Sequence, residues 1–190
     1  IQGVRLSIGL DFGLTPSAVI CQQDARGRLL VLDEACGLDM GFRQFLEDVL
    51  VPLLTTEYSE WWKNKDKMIL CIADPAGNQK AQSDENTCFK ETRNAGLKIK
   101  AGATNDYVPR RSAVAWFLSK LTGGQPMILL DPFCKVLRKG FNGGYKYRRI
   151  QVTGEERYAD EPVKNAYSHP HDALQYVALE FGGVQAIKTK

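Results

Sequence analysis

Residues 5–34 read RLSIGLDFGLTPSAVICQQDARGRLLVLDE, and their alternation decides the fold. Leu6, Ile8, Leu10 and Phe12 recur with period two, which predicts a strand with one apolar face. The opposite face carries Ser7, Gly9, Asp11 and Gly13, all small except the carboxylate, so a neighbour can approach that backbone closely. Ser17 to Gln23 predicts a second strand, Asp24-Ala25-Arg26-Gly27 a tight turn, and Arg28 to Glu34 a third strand. Three strands joined by short connections make an antiparallel meander.

The period changes beyond Gly41. Phe42, Phe45, Leu46, Val49, Leu50, Leu53 and Leu54 fall on one stripe of an amphipathic helix, with Asp39 as its N-cap. The apolar run from Met68 to Ala73 predicts a strand buried on both faces, ending at Asp74-Pro75. Ser83 is placed as the cap of a helix that stops at Gly96, followed by a short strand over Leu97 to Lys100. A helix from about Asn105 to Leu121 would bury Val114, Phe117, Leu118 and Leu121. Met127 to Leu130 predicts a strand, and Asp131-Pro132 the start of a short helix. Gly143-Gly144 breaks the chain before Tyr145 to Val152, one arm of a hairpin. A last helix opens near Ser168 and packs through Leu174, Val177, Ala178 and Phe181. A meander followed by alternating strands and helices predicts one α/β domain over residues 1–190, a mixed sheet flanked by helices.

Composition agrees. The chain has 190 residues, 44% hydrophobic and 25% charged, the balance of a globular protein with a core. It has neither an apolar run of roughly 20 residues nor a signal-peptide pattern, which argues against a membrane protein and against secretion. Five scattered cysteines without a CxxC pair argue against a disulfide framework or a zinc site and for a reducing compartment. The first residue is Ile, as expected of a piece of a longer protein. The net charge of +3 is local: residues 135–150, KVLRKGFNGGYKYRRI, hold six basic residues and no acidic one. Lys135, Arg138, Lys139, Lys146, Arg148 and Arg149 alternate there with aromatic rings. They read either as a solvated surface or as a ridge for a phosphate backbone that positions a duplex without reading its sequence.

Carboxylates carry the chemistry. Asp11 sits between Leu10 and Phe12, Asp74 ends the most apolar strand, and Asp172 opens the last helix within SHPHDALQY. Singly, each has an ordinary reading as a turn former or a first-turn anion. The first and fourth strands of such a sheet should be neighbours, however. Two carboxylates about 5 Å apart repel by roughly 3 kcal/mol at an effective dielectric of 20, which divalent cations reverse. Three hard oxygen ligands suit Mg²⁺ or Mn²⁺, and a pair of such ions serves in-line phosphoryl displacement. His169, three residues before Asp172, is placed as a metal ligand, a proton shuttle or part of the helix cap. Asp33 and Glu34 read as supporting groups or as a solvated strand end.

GLDFG with Asp11, IADPAG with Asp74 and SHPHDALQY with Asp172, in this order, resemble the nuclease domain of the large terminase subunit of tailed bacteriophages. Gly96, Asn105 with Arg110-Arg111, Asp131-Pro132 with Cys134, and Gly143-Gly144-Tyr145-Lys146-Tyr147 are similar landmarks, so the resemblance spans nearly the whole chain. It implies a ribonuclease H-like (retroviral-integrase-like) fold with an added β-hairpin. It also implies catalytic Asp11, Asp74, Asp172 and His169, with the three aspartates binding two Mg²⁺ or Mn²⁺ ions to cut duplex DNA during genome packaging. The implied partners are double-stranded DNA, an ATPase domain of the same polypeptide, a small terminase subunit and a portal on the procapsid, in the host cytoplasm. The chain lacks a GxxxxGK[ST] loop, so it resembles only the nuclease half.

Two other enzyme readings stand beside this one. A Holliday-junction resolvase shares the fold, although the long interval between Asp74 and Asp172, with its hairpin and basic segment, favours a terminase. Asp11-Phe12-Gly13 also resembles the first phosphate loop of actin-like and sugar-kinase ATPases, which require a second loop and lobe. A DNA-docking module without catalysis is the non-enzymatic reading.

Overall fold

The first strand sits near the middle of the sheet and is buried on both faces from Leu6 to Leu10. A computed structural model describes residues 1–13, 15–78, 87–151 and 157–188. The chain opens with β1 (Leu6–Asp11), β2 (Ser17–Gln23) and β3 (Leu29–Cys36). Next come α1 (Phe42–Phe45), a π-helical turn (Leu46–Leu50), α2 (Val51–Thr56), α3 (Ser59–Lys63), α4 (Lys65–Met68) and β4 (Ile69–Ala73). A 3₁₀ turn at Pro75–Asn78 precedes α5 (Cys88–Asn94), β5 (Ile99–Ala101) and α6 (Tyr107–Ser119). Then follow β6 (Leu121–Thr122), β7 (Gln125–Pro126), β8 (Ile128–Leu130), α7 (Lys135–Lys139), β9 (Tyr147–Gln151), β10 (Arg157–Pro162) and α8 (Ser168–Lys188).

Six strands form one sheet in the order β5-β4-β1-β2-β3-β8. The meander β1-β2-β3 is antiparallel, while β4 pairs parallel with β1, β5 with β4, and β8 with β3. The sheet is therefore mixed, as the sequence predicts, with β9 and β10 as a separate two-stranded hairpin. Alternation divides the core between the two faces. Leu6, Ile8, Leu10, Ile20 and Cys71 pack with Phe42, Phe45, Leu50 and Leu54 on one face. Val19, Cys21, Val31 and Ile72 pack with Phe117, Leu137, Leu174 and Val177 on the other. All five cysteines are free, and no described helix is long and apolar enough to cross a membrane.

Several local expectations change. Asp39 does not cap α1: the helix starts after Gly41, and Asp39 lies in the preceding turn with φ 49°. The π turn before α2 accommodates Pro52, which has no N–H for the regular ladder. Thr87 caps α5, its side chain accepting from the Lys90 amide, while Ser83 lies outside the described residues. On α6 the buried residues are Arg110, Ala113, Val114 and Phe117, whereas Leu118 and Leu121 are exposed. The helix ends at Ser119 and Lys120 is extended, so the chain leaves that face before Leu121.

Asp131 makes a turn instead of starting a helix, its Oδ1 accepting from the Phe133 amide at 2.9 Å. The first turn of α7 is capped from a distance. The Glu34 carboxylate on β3 accepts from the amides of Val136 and Leu137. Glu34 is therefore a structural cap, neither a solvated strand end nor a group of the aspartate cleft. Burial pushes its carboxyl above the usual range despite those two donors.

Candidate active site

Asp11 and Asp74 emerge together because β1 and β4 are parallel and in register, with Leu10 opposite Ala73. The carboxyl end of a parallel pair is where α/β sheets generally expose their functional groups. Asp172 arrives from the other chain terminus on α8, which crosses the sheet against β1 and β2. Gly9 permits this approach: a Cβ there would stand 2.0 Å from the carbonyl oxygen of Ala173. The close neighbour implied by the small face of β1 is thus α8, and residue 172 is carried to the strand ends. Asp11, Asp74 and Asp172 line one cleft of about 210 Å³ with Asn105, Arg110, Glu161, Lys164 and Tyr176.

Each carboxylate has a different partner. His169 Nδ1 donates to Asp11 Oδ2 at 2.8 Å. Of the alternatives for His169, this contact is with the first aspartate and not with the helix terminus. Gly13 leaves room for the ring, since a Cβ there would lie 3.0 Å from it. Asp74 Oδ1 accepts from the Ala76 amide at 2.7 Å, a local turn that fixes one oxygen.

Asp172 is nearly buried and faces two cations, Arg110 Nη1 at 3.3 Å from Oδ1 and Lys164 Nζ at 2.6 Å from Oδ2. The Arg110 guanidinium is held on several sides. It donates to the Asn105 carbonyl and to Gln175 Oε1, and it stands 4.8 Å from the Tyr176 ring centroid. Tyr176 in turn donates to Asn105 Oδ1 at 2.8 Å. The wall beside Asp172 is therefore pre-ordered, with its buried charges paired.

The donor chemistry suits a hard divalent cation. As the side chains stand, however, no group of three His, Cys, Asp or Glu among the described residues is gathered around a single ion position. Protein cations occupy carboxylate oxygens instead, and Lys164 is the most intimate of them. The aspartates fit Mg²⁺ or Mn²⁺ by type and by shared cleft, on condition that Lys164 yields the oxygen it holds.

The basic segment divides between two elements. Lys135, Arg138 and Lys139 lie exposed on α7, while Lys146 precedes β9 and Arg148 and Arg149 lie on that strand, also exposed. The hairpin is tied to α6 through Tyr147, whose hydroxyl meets that of Tyr107 and accepts from Arg111. Beside the cleft, Tyr145 stacks on His171 with centroids 4.5 Å apart, and its hydroxyl accepts from Gln175. Trp61 and Trp116 pack against the two cores, in keeping with a packing role.

Sequence reasoning did not assign Arg110, Lys164 and Glu161 to the cleft. Arg110 was at hand, as half of a landmark dipeptide and the only arginine on the buried stripe of α6. Lys164 and Glu161 follow the hairpin, and no periodicity marks them.

No protein-family model matches the chain, and no curated protein matches it. Among solved structures, that of the yeast mitochondrial Holliday junction resolvase Ydc2 is similar, at 14% sequence identity and a TM-score of 0.41. The likeness covers 99% of this chain and 82% of that one.

Proposed function

We propose that this chain is a metal-dependent nuclease that hydrolyses phosphodiester bonds of DNA. One observation carries the reading: Asp11, Asp74 and Asp172, from β1, the end of β4 and α8, line a single cleft. These three would hold Mg²⁺ or Mn²⁺, two ions in the fullest form. When bound, such ions activate the attacking water and stabilise the departing oxygen. The chain's own groups prepare that event. His169 orients the Asp11 carboxylate through Nδ1. Arg110 fixes Asp172 from inside the fold and keeps its charge paired. The exposed cations of α7 and the hairpin offer phosphate contacts that a purely acidic cleft lacks.

Within this class, the terminase resemblance makes the substrate duplex viral DNA cut during genome packaging. The ATPase domain, small terminase subunit and portal would then be partners, in the host cytoplasm. An actin-like phosphate loop is less well supported, because Gly13 lies against His169 instead of standing open for a phosphate.

The test is cleavage of plasmid and of four-way junctions in Mg²⁺ and Mn²⁺. Wild type should cut linear and plasmid duplex, and Asp11→Asn should abolish cutting without loss of fold. Undiminished cutting by that variant removes Asp11 from the mechanism, and a strong preference for the junction makes the protein a resolvase.

A further inference from the structure

Asp172 is paired asymmetrically. Its side chain is 6% exposed, and Arg110, 8% exposed, stands 3.3 Å from one oxygen while sharing its donors with Gln175 and Asn105. The other oxygen belongs to Lys164, whose ammonium lies 2.6 Å away although its side chain is 65% exposed. Arg110 is a fixture of the α6–α8 packing. Lys164 is a long, flexible stem reaching in from solvent, from the segment between β10 and α8.

We propose that Lys164 is a built-in counter-ion for Asp172, which a divalent cation must displace in order to bind; this rests on the metal-nuclease reading. Oxygen ligands bind Mg²⁺ at about 2.0–2.1 Å. An ammonium already in contact with the same oxygen blocks that approach and repels the incoming charge. Lys164 can withdraw into water and leave Arg110 in place, so displacement needs no rearrangement of the core. The lysine thereby offsets one of the cleft's four carboxylates without metal and sets the metal concentration at which the site fills. It is a positioning residue that competes for a ligand and takes no part in the chemical step.

The experiment is Mn²⁺ binding to the full chain by titration calorimetry, with the Mn²⁺-induced shift in melting temperature as a second readout. Lys164→Met and Lys164→Gln should each bind Mn²⁺ about fivefold more tightly than wild type, the factor expected from losing a competing ion pair whose ammonium side is solvated. They should also show a larger melting shift at the same Mn²⁺ concentration. Lys164→Arg should show no such gain, and Asp172→Asn should lose the binding. If wild type binds Mn²⁺ through Asp172 and neither neutral variant binds more tightly, the counter-ion role is wrong and the metal reading stands. If no variant binds Mn²⁺ in an Asp172-dependent manner, both fall together.

Discussion

His169 Nδ1 lies 2.8 Å from Oδ2 of Asp11, joining the start of the last helix to the end of the first strand across 158 residues of sequence. A carboxylate at a strand end has freedom about its side-chain torsions. One imidazole contact removes much of it, and the remaining oxygen is then presented to the cleft. The same contact ties α8 to β1 at the point where Asp11 and Asp172 must cooperate.

His169→Ala should therefore reduce metal-dependent DNA cleavage by about 10–100-fold, the usual cost of losing a group that orients a metal-binding carboxylate. The side chain is 19% exposed and ties α8 to β1, so a fall in melting temperature short of unfolding should accompany the loss of cleavage. Nicking of supercoiled plasmid, followed beside a thermal melt, checks both halves. Cleavage at the wild-type rate would show that Asp11 needs no such support.

Gly9→Ala tests the close crossing that makes the cleft. The added Cβ would stand 2.0 Å from the Ala173 carbonyl, which belongs to the backbone of α8 and cannot swing aside. Overpacking of this kind costs about 1–3 kcal/mol, and here the backbone must shift. Loss of stability in urea together with loss of cleavage is expected, because a displaced α8 carries Asp172 away from Asp11. A variant as stable and active as wild type would show that the crossing tolerates more space than the packing indicates.

The sheet was legible because burial leaves period-two marks: Leu6, Ile8 and Leu10 against Ser7 and Gly9 encode both faces of β1. The pairing of Asp11 with Asp74 followed from topology, since a meander with one crossover places the first and fourth strands side by side. Elements set by long-range contacts were not legible. The cap of α7 is Glu34, some hundred residues upstream, and no local signal announces it. The choice of Arg110 over Leu118 and Leu121 for the buried face of α6 depends on Asp172 and Gln175 waiting on α8. Lys164 reaches the cleft through a hairpin exit whose path the sequence does not encode periodically. Paired charges were thus the least readable part of the site, because each partner's burial depends on the other being there.

Stability should fall in acid through His171. Burial holds its imidazole well below the usual range, at about 4 against 6.5, although the Leu137 carbonyl and Asp172 favour the charged form. The folded state thus prefers neutral His171, and the unfolded chain takes up the proton first. The contribution is complete above pH 6.5 and is lost progressively between 6.5 and 4, amounting to about 3 kcal/mol. Urea midpoints at pH 7 and pH 4.5 measure the loss. His171→Gln keeps a donor toward Leu137 and does not titrate, so its stability should fall less over the same interval. An equal fall in both proteins would assign the acid sensitivity to other groups.

The exposed cations offer a quantitative test of DNA positioning. Lys135, Arg138 and Lys139 lie exposed on α7, whose buried residue is Leu137, and Arg138 also donates to the Pro132 carbonyl. Each phosphate contact contributes about 0.9 to the slope of log affinity against log salt concentration. Changing all three residues to Ala should lower that slope by up to about three, weaken duplex binding at low salt, and leave sequence preference unchanged. Lys146→Ala with Arg148→Ala should act in the same direction if the duplex also follows the hairpin. Fluorescence anisotropy of a labelled duplex over a salt series reads both variants, with Asp11→Asn as the background so that no cleavage intervenes. Unchanged slopes in both would mean that DNA approaches the cleft from another side, leaving the basic segment as a solvated surface.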